Sequence, residues 1–117
     1  MPRGRHGGNG PEQVTNLSFE RFLQDHSRAV VDVWAPWCVP CRSFAPVFAE
    51  AAQEWGDRVG FGKLHAGHSP TLATRLGVRS IPTLLFFRDG QVVRTHVGAL
   101  SADGLRRQLR KAFRDLV

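Results

Sequence analysis

The chain has 117 residues, 42% of them hydrophobic, a formal net charge of +6 and two cysteines. That length supports a single domain burying about two-thirds of its unfolded surface around one core, so folding needs no disulfide staple. The densest cations (Arg106, Arg107, Arg110, Lys111, Arg114) fall on the last predicted helix without interleaved aromatics, which argues against a nucleic-acid partner, and no apolar run is long enough to span a membrane.

Residues 1–11 are rich in Gly, with little to bury, and read as a flexible basic tail ahead of a domain over 12–117. No apolar run follows Met1-Pro2-Arg3-Gly4-Arg5-His6, so no secretory signal is expected. A short strand near Gln13–Asn16 leads to a helix from Ser18 to about His26, with Ser18 as N-cap and Phe19, Phe22 and Leu23 on the buried face. Ala29–Ala35 reads as a central strand, because Val30, Val31, Val33 and Trp34 form an apolar run broken only by Asp32.

A turn at Pro36-Trp37 then opens a long helix from Cys38 to about Trp55, in which Pro46 removes one ladder bond and predicts a kink. A strand over 58–64 and a loop over 66–69 follow. Ser69-Pro70 starts a short helix running to Leu76, and Gly77 stops it. Thr83–Arg88 and Gln91–Val97 are strands joined by Asp89-Gly90, a hairpin signal. Ser101 caps a last helix with the stripe Leu105, Leu109, Phe113 and Leu116. The order βαβαβαββα predicts an α/β domain with a mixed sheet, mostly parallel in its first part, covered by helices on both faces.

Cys38 and Cys41 are three apart at the opening of the long helix, where one turn places both on one face at nearly disulfide distance. The unsatisfied N–H groups and the dipole of that helix favour negative charge on Cys38, whereas Cys41, one turn in, is more buried. Such a pair suits dithiol–disulfide exchange. Cys38 attacks a partner's disulfide, and Cys41 then displaces the partner from the mixed disulfide. Pro40 fits the first turn, where its missing N–H costs little. A zinc site is the rival reading, with His65 and His68 as the remaining ligands, but no second Cys-x-x-Cys accompanies the first. Redox use is therefore preferred, with no metal, and the two histidines read as solvated loop residues. Two cysteines without an export signal place such chemistry in a reducing cytoplasm.

Asp32 lies in the apolar strand six residues before Cys38, so burial raises its pKa and lets it take a proton from Cys41, directly or through a water. Lys63, on the neighbouring predicted strand, is its candidate partner; a purely structural Asp32–Lys63 ion pair is the alternative. Ile81-Pro82 begins a strand, and sequence physics alone leaves open whether that bond is trans or cis.

The segments Val31-Asp32-Val33-Trp34-Ala35-Pro36-Trp37-Cys38-Val39-Pro40-Cys41-Arg42, Ala45-Pro46, Lys63-Leu64, Ile81-Pro82-Thr83 and Val97-Gly98-Ala99-Leu100 together resemble the thioredoxin family over roughly residues 12–117. The resemblance implies a thioredoxin fold: a central five-stranded mixed sheet flanked by four helices. It also implies a cis bond before Pro82, opposite the dithiol. Trp37, Val39, Pro40, Ile81, Pro82, Val97 and Gly98 would hold the substrate, with Asp32 as buried proton acceptor and Lys63 as its modulator. The implied activity is that of a monomeric protein-disulfide reductase with a redox-active Cys38–Cys41 disulfide and no bound cofactor. Electrons would come from NADPH through a separate flavin-containing thioredoxin reductase, and the partners would be disulfide-containing proteins.

The chain departs from the family pattern at three places. Val39 stands where Gly is usual, which stiffens the turn and adds an apolar bump to the docking surface. Ser80 replaces a common Gly, and His65 and Gly67 replace a usual polar pair. With neither charge nor extra donors between the cysteines, Val39-Pro40 predicts a reductant rather than an oxidant. A binding module, or a redox protein serving one target through the same apolar patch, is the alternative function.

Overall fold

The apolar run that includes Val30 and Val31 forms the middle strand of a five-stranded sheet in the computed structural model, which describes residues 10–116. In chain order the elements are β1 (Glu12–Val14), α1 (Phe19–Asp25), β2 (Arg28–Trp34), α2 (Val39–Trp55) and β3 (Gly60–His65). There follow α3 (Pro70–Arg75), β4 (Thr83–Arg88), β5 (Gln91–Val97), α4 (Ala102–Ala112) and a 3-10 turn, Arg114–Leu116. The sheet order is β1-β3-β2-β4-β5, with β1, β3 and β2 parallel and β4 and β5 antiparallel to their neighbours. Residues 1–9 of the expected tail lie outside the described residues.

β2 is nearly all apolar because helices cover both faces of the sheet, and its alternate residues feed two separate cores. Val30 packs with Leu84 and Phe86 beneath α2 and α4, joined by Phe44, Phe48, Leu105 and Leu109. Ala29, Val31 and Val33 pack with Leu85 and Phe87 beneath α1 and α3, joined by Phe22 and Leu72. Each fully buried phenylalanine in these layers contributes about 2–3 kcal/mol relative to an exposed one. Asp32 shares the Val30 side of β2, so it faces the layer under α2.

Element ends depart from the sequence reading where local hydrogen bonds compete. β1 stops at Val14 because Thr15 enters a turn: its N–H bonds the Ser18 hydroxyl at 3.0 Å. That same bond occupies Ser18, whose backbone is already helical, so the predicted side-chain cap of α1 does not form. β3 begins at Gly60 rather than at 58, because Arg58 and Val59 both donate back to the Trp55 carbonyl. α2 starts one residue later than expected, with Cys38 as its cap, and continues through Pro46.

α4 ends at Ala112, yet Phe113 is fully buried and Leu116 packs on the same core from the 3-10 turn, so the apolar stripe outlasts the helix. The hairpin is as its residues require: Asp89 and Gly90 both have positive φ, 51° and 81°. A register shift between Phe86 and Phe87 leaves Val93 as an extra residue in β5.

Candidate active site

β2 ends at Trp34, and the chain turns through Ala35, Pro36 and Trp37 into α2. The turn is closed by the Cys38 N–H donating to the Ala35 carbonyl at 3.2 Å. Cys38 is the extended N-cap of a 17-residue helix. Its Sγ accepts the Cys41 N–H at 3.3 Å, the place an oxygen takes in an ordinary cap. Negative charge that develops on this sulfur therefore meets a donor and the positive end of the helix dipole. Pro40 sits in the first turn, where no ladder donor is lost. The sulfurs are not bonded to each other, and they are unequally placed: Cys38 is half-buried and Cys41 is buried.

The Cys38 thiol also donates to the Ile81 carbonyl at 3.7 Å, joining residues 43 apart in sequence. The Ile81–Pro82 bond is cis, which decides the question the sequence left open. Pro82 is buried, and its carbonyl accepts the Gly98 N–H at 2.8 Å, which ties the end of β5 to the same place. Gly98 has φ 105°, a conformation that favours glycine. Around the sulfurs stand Trp37, Val39 and Val97, exposed by 67%, 63% and 60%, with Ile81 half-buried beside them. Of the predicted substrate-binding residues, Trp37, Val39, Pro40, Ile81, Val97 and Gly98 thus reach the surface near the sulfurs, while Pro82 is buried.

Asp32 is completely buried, and neither carboxylate oxygen has a hydrogen-bond partner. Burial pushes its pKa from 3.8 to about 7, while the charge of Lys63 pulls the other way. Lys63 is its register partner across β2 and β3, but the expected ion pair is absent. Instead the Lys63 Nζ lies over the Trp34 ring, 4.1 Å from its centroid, where the π-face offers attraction without desolvating the ammonium completely. The Cys41 thiol is pushed up to about 12, first by burial, then by its hydrogen bond with Cys38, with the charges of Cys38 and Asp32 adding to it.

His68 is an exposed loop residue, as the sequence suggests, but His65 departs from that reading. His65 is half-buried rather than solvated, and its Nδ1 accepts the N–H groups of Gly67 and His68 at 3.0 and 3.2 Å. Its ring stacks on His68 at 3.8 Å and meets the Trp37 edge at 5.5 Å. Burial and the neighbouring His68 lower its pKa. Gly67 is small for a reason the sequence did not reveal: a Cβ there would come within 2.6 Å of Trp37. The usable signal was the spacing, a His two residues before a Gly in the loop that follows a strand. Among the described residues no group of three or more His, Cys, Asp or Glu could hold a metal.

An accessible sulfur backed by a buried one, beside a backbone carbonyl and an apolar surface, is the equipment of thiol–disulfide exchange; the chain is a thiol–disulfide oxidoreductase. The family model described as Thioredoxin matches residues 10–111. The chain is 46% identical over 99 residues to thioredoxin 1 of Synechococcus elongatus, covering 84% of this chain and 92% of that protein. It is 44% identical over 90 residues to a thioredoxin of Rhodospirillum rubrum, covering 76% and 86% respectively. A mutant thioredoxin from Halobacterium salinarum superposes with a TM-score of 0.84 at 27% identity, over 93% of this chain and 96% of that one. The chain belongs to the thioredoxin family, whose members need no prosthetic group.

Proposed function

We propose that the protein reduces disulfides in partner proteins with Cys38 as nucleophile and Cys41 as resolving thiol, and that a flavin-containing thioredoxin reductase drawing on NADPH regenerates it. The Cys38 thiolate attacks one sulfur of the partner's disulfide. That bond breaks, a mixed disulfide forms, and the other partner sulfur leaves as a thiolate that takes up a proton. The Cys41 thiol then gives its proton to the Asp32 carboxylate and attacks the Cys38 sulfur. The Cys38–Cys41 bond forms as the second partner thiolate departs, so two electrons have passed to the partner; its thiolates take up protons from water, and Asp32 releases to water the proton it took from Cys41.

Asp32 fits this role because a carboxyl titrating at about 7 is partly ionised at neutral pH and returns its proton easily. Its charge also helps hold Cys41 protonated until the mixed disulfide forms. Lys63 sets where Asp32 titrates through its charge rather than by contact. The flat surface of Trp37, Val39, Pro40, Ile81, Val97 and Gly98, with Pro82 buried, receives the partner's chain beside its disulfide. The protein works as a monomer in a reducing compartment, the cytoplasm being the expected one.

The observation that carries this reading is the inequality of the sulfurs, Cys41 at 1% exposure against a half-buried Cys38. Its test is Cys41→Ser incubated with oxidised insulin: a covalent adduct on Cys38 should accumulate, whereas Cys38→Ser should give none. Equal trapping by both variants would defeat it. Insulin reduction driven by NADPH with a thioredoxin reductase, against dithiothreitol alone, separately tests the electron source.

A further inference from the structure

The charges of this chain are sorted by end, and the dithiol end holds almost no acid. The runs 33–49, 58–88 and 90–102 contain no Asp or Glu, and they include the Ala35–Cys38 turn, the Gly67–Ser69 loop, Ile81-Pro82 and Gly98. The carboxylates sit elsewhere. Asp115 binds Arg28 and Arg88 at the opposite end of the sheet, where Asp89 occupies the hairpin. Asp57 and Glu54 lie at the far end of α2, against Arg58 and Arg106. Asp103 is the exception, in the first turn of α4 just past the loop that follows Gly98, and there the Arg106 guanidinium engages it at 2.6 Å.

Two arginines at the dithiol end have no such partner among the described residues. Arg42 is exposed, and its guanidinium donates to the Pro36 carbonyl at 3.1 Å, which holds it beside the turn carrying Trp37. Arg79 is exposed two residues before Ile81, whose carbonyl receives the Cys38 thiol. Neither forms an ion pair with any described carboxylate. Asp32, the one acid beneath this surface, is completely buried.

Building on the reductase reading above, we propose that Arg42 and Arg79 make the rim of the dithiol surface a cationic docking site for proteins whose disulfide is flanked by carboxylates. The physical need is specific. An anionic Cys38 sulfur repels approaching carboxylates, and cations on the two segments beside it, the Pro36-Trp37 turn and the residues before Ile81, oppose that repulsion. Charges at the edge of an apolar contact act mainly on encounter rate and partner choice, and salt weakens them. An acidic protein fits better than a nucleic acid, because two arginines around an apolar centre fall short of the several phosphate contacts that hold DNA.

The experiment uses three disulfide-bonded peptides, identical except that four flanking positions are all Glu, all Gln or all Lys. The pre-reduced protein is mixed with each in a stopped-flow instrument, so no reductase is involved. At about 0.01 M salt the Glu peptide should oxidise the protein about tenfold faster than the Lys peptide, and at about 1 M salt the two rates should converge within about twofold. Arg42→Glu with Arg79→Glu should reverse the order of the peptides. Arg107→Glu with Lys111→Glu on α4, an equal change in net charge, should preserve it.

Equal Glu and Lys rates at low salt, or equal loss of preference in both double variants, would overturn the proposal. So would a DNA duplex bound tightly at 0.15 M salt by a protein that shows no preference among the peptides. Failure to react with the uncharged Gln peptide would count against the reductase reading instead, so the two failures are distinct.

Discussion

Replacing Asp32 by Asn keeps the shape of a completely buried side chain and removes its ability to ionise. Burial raises the folded-state pKa of this carboxyl from 3.8 to about 7. Below 3.8 it is protonated both folded and unfolded, and ionisation costs nothing. As pH rises from 3.8 to 7 the unfolded chain releases the proton while the folded chain retains it, and stability falls; above 7 the full cost is present. At 1.36 kcal/mol per pKa unit, the gap between 3.8 and about 7 corresponds to about 4 kcal/mol.

The Asn variant lacks this loss, so its stability relative to wild type should rise by about 4 kcal/mol from pH 4 to pH 8. That is a large part of the roughly 5–15 kcal/mol of a whole domain. Any fixed cost of burying the amide is the same at each pH and drops out of the comparison. Cys41, pushed up to about 12, does not titrate in this window, so the effect belongs to Asp32. Urea unfolding of the dithiol form of both proteins at pH 4, 6 and 8 measures it. Parallel stability curves across that range would refute the assignment of a carboxyl titrating near neutrality. In the same variant, resolution of the Cys38 mixed disulfide should slow by up to about a hundredfold.

Lys63→Met keeps an apolar stem over Trp34 but deletes the charge that lowers the Asp32 pKa, so the carboxyl resonance should titrate above the wild-type midpoint by NMR; an unmoved midpoint would remove Lys63 from the site. Gly62→Ala puts a Cβ 2.8 Å from Val14 and 2.9 Å from Phe22, both buried, and should cost about 1–3 kcal/mol in urea unfolding. Gly67→Ala meets the far edge of the exposed Trp37 ring at 2.6 Å and the His65 ring at 2.9 Å, both outside the two cores, where the rings can shift. Its stability should stay within about 0.5 kcal/mol of wild type while tryptophan emission changes. A large stability loss would mean that Trp37 is held more firmly than its exposure indicates.

Periodicity and spacing determined much of this protein in advance. The nearly continuous apolar runs of β2 and β4, the hairpin at Asp89-Gly90, and the dithiol at the mouth of α2 are local patterns, because strand burial, turn conformation and helical pitch are written in a few adjacent residues. Asp32 was conspicuous for the same reason, one carboxylate in an apolar run. Sheet closure decided what lies across from what. It brought the Ile81 carbonyl to Cys38, and it placed Lys63 beside Asp32 in register yet sent its ammonium onto Trp34. It also turned His65 from a surface residue into the acceptor that holds its loop against Trp37. Such partners are far apart along the chain, and packing and desolvation choose among them only after the strands have paired.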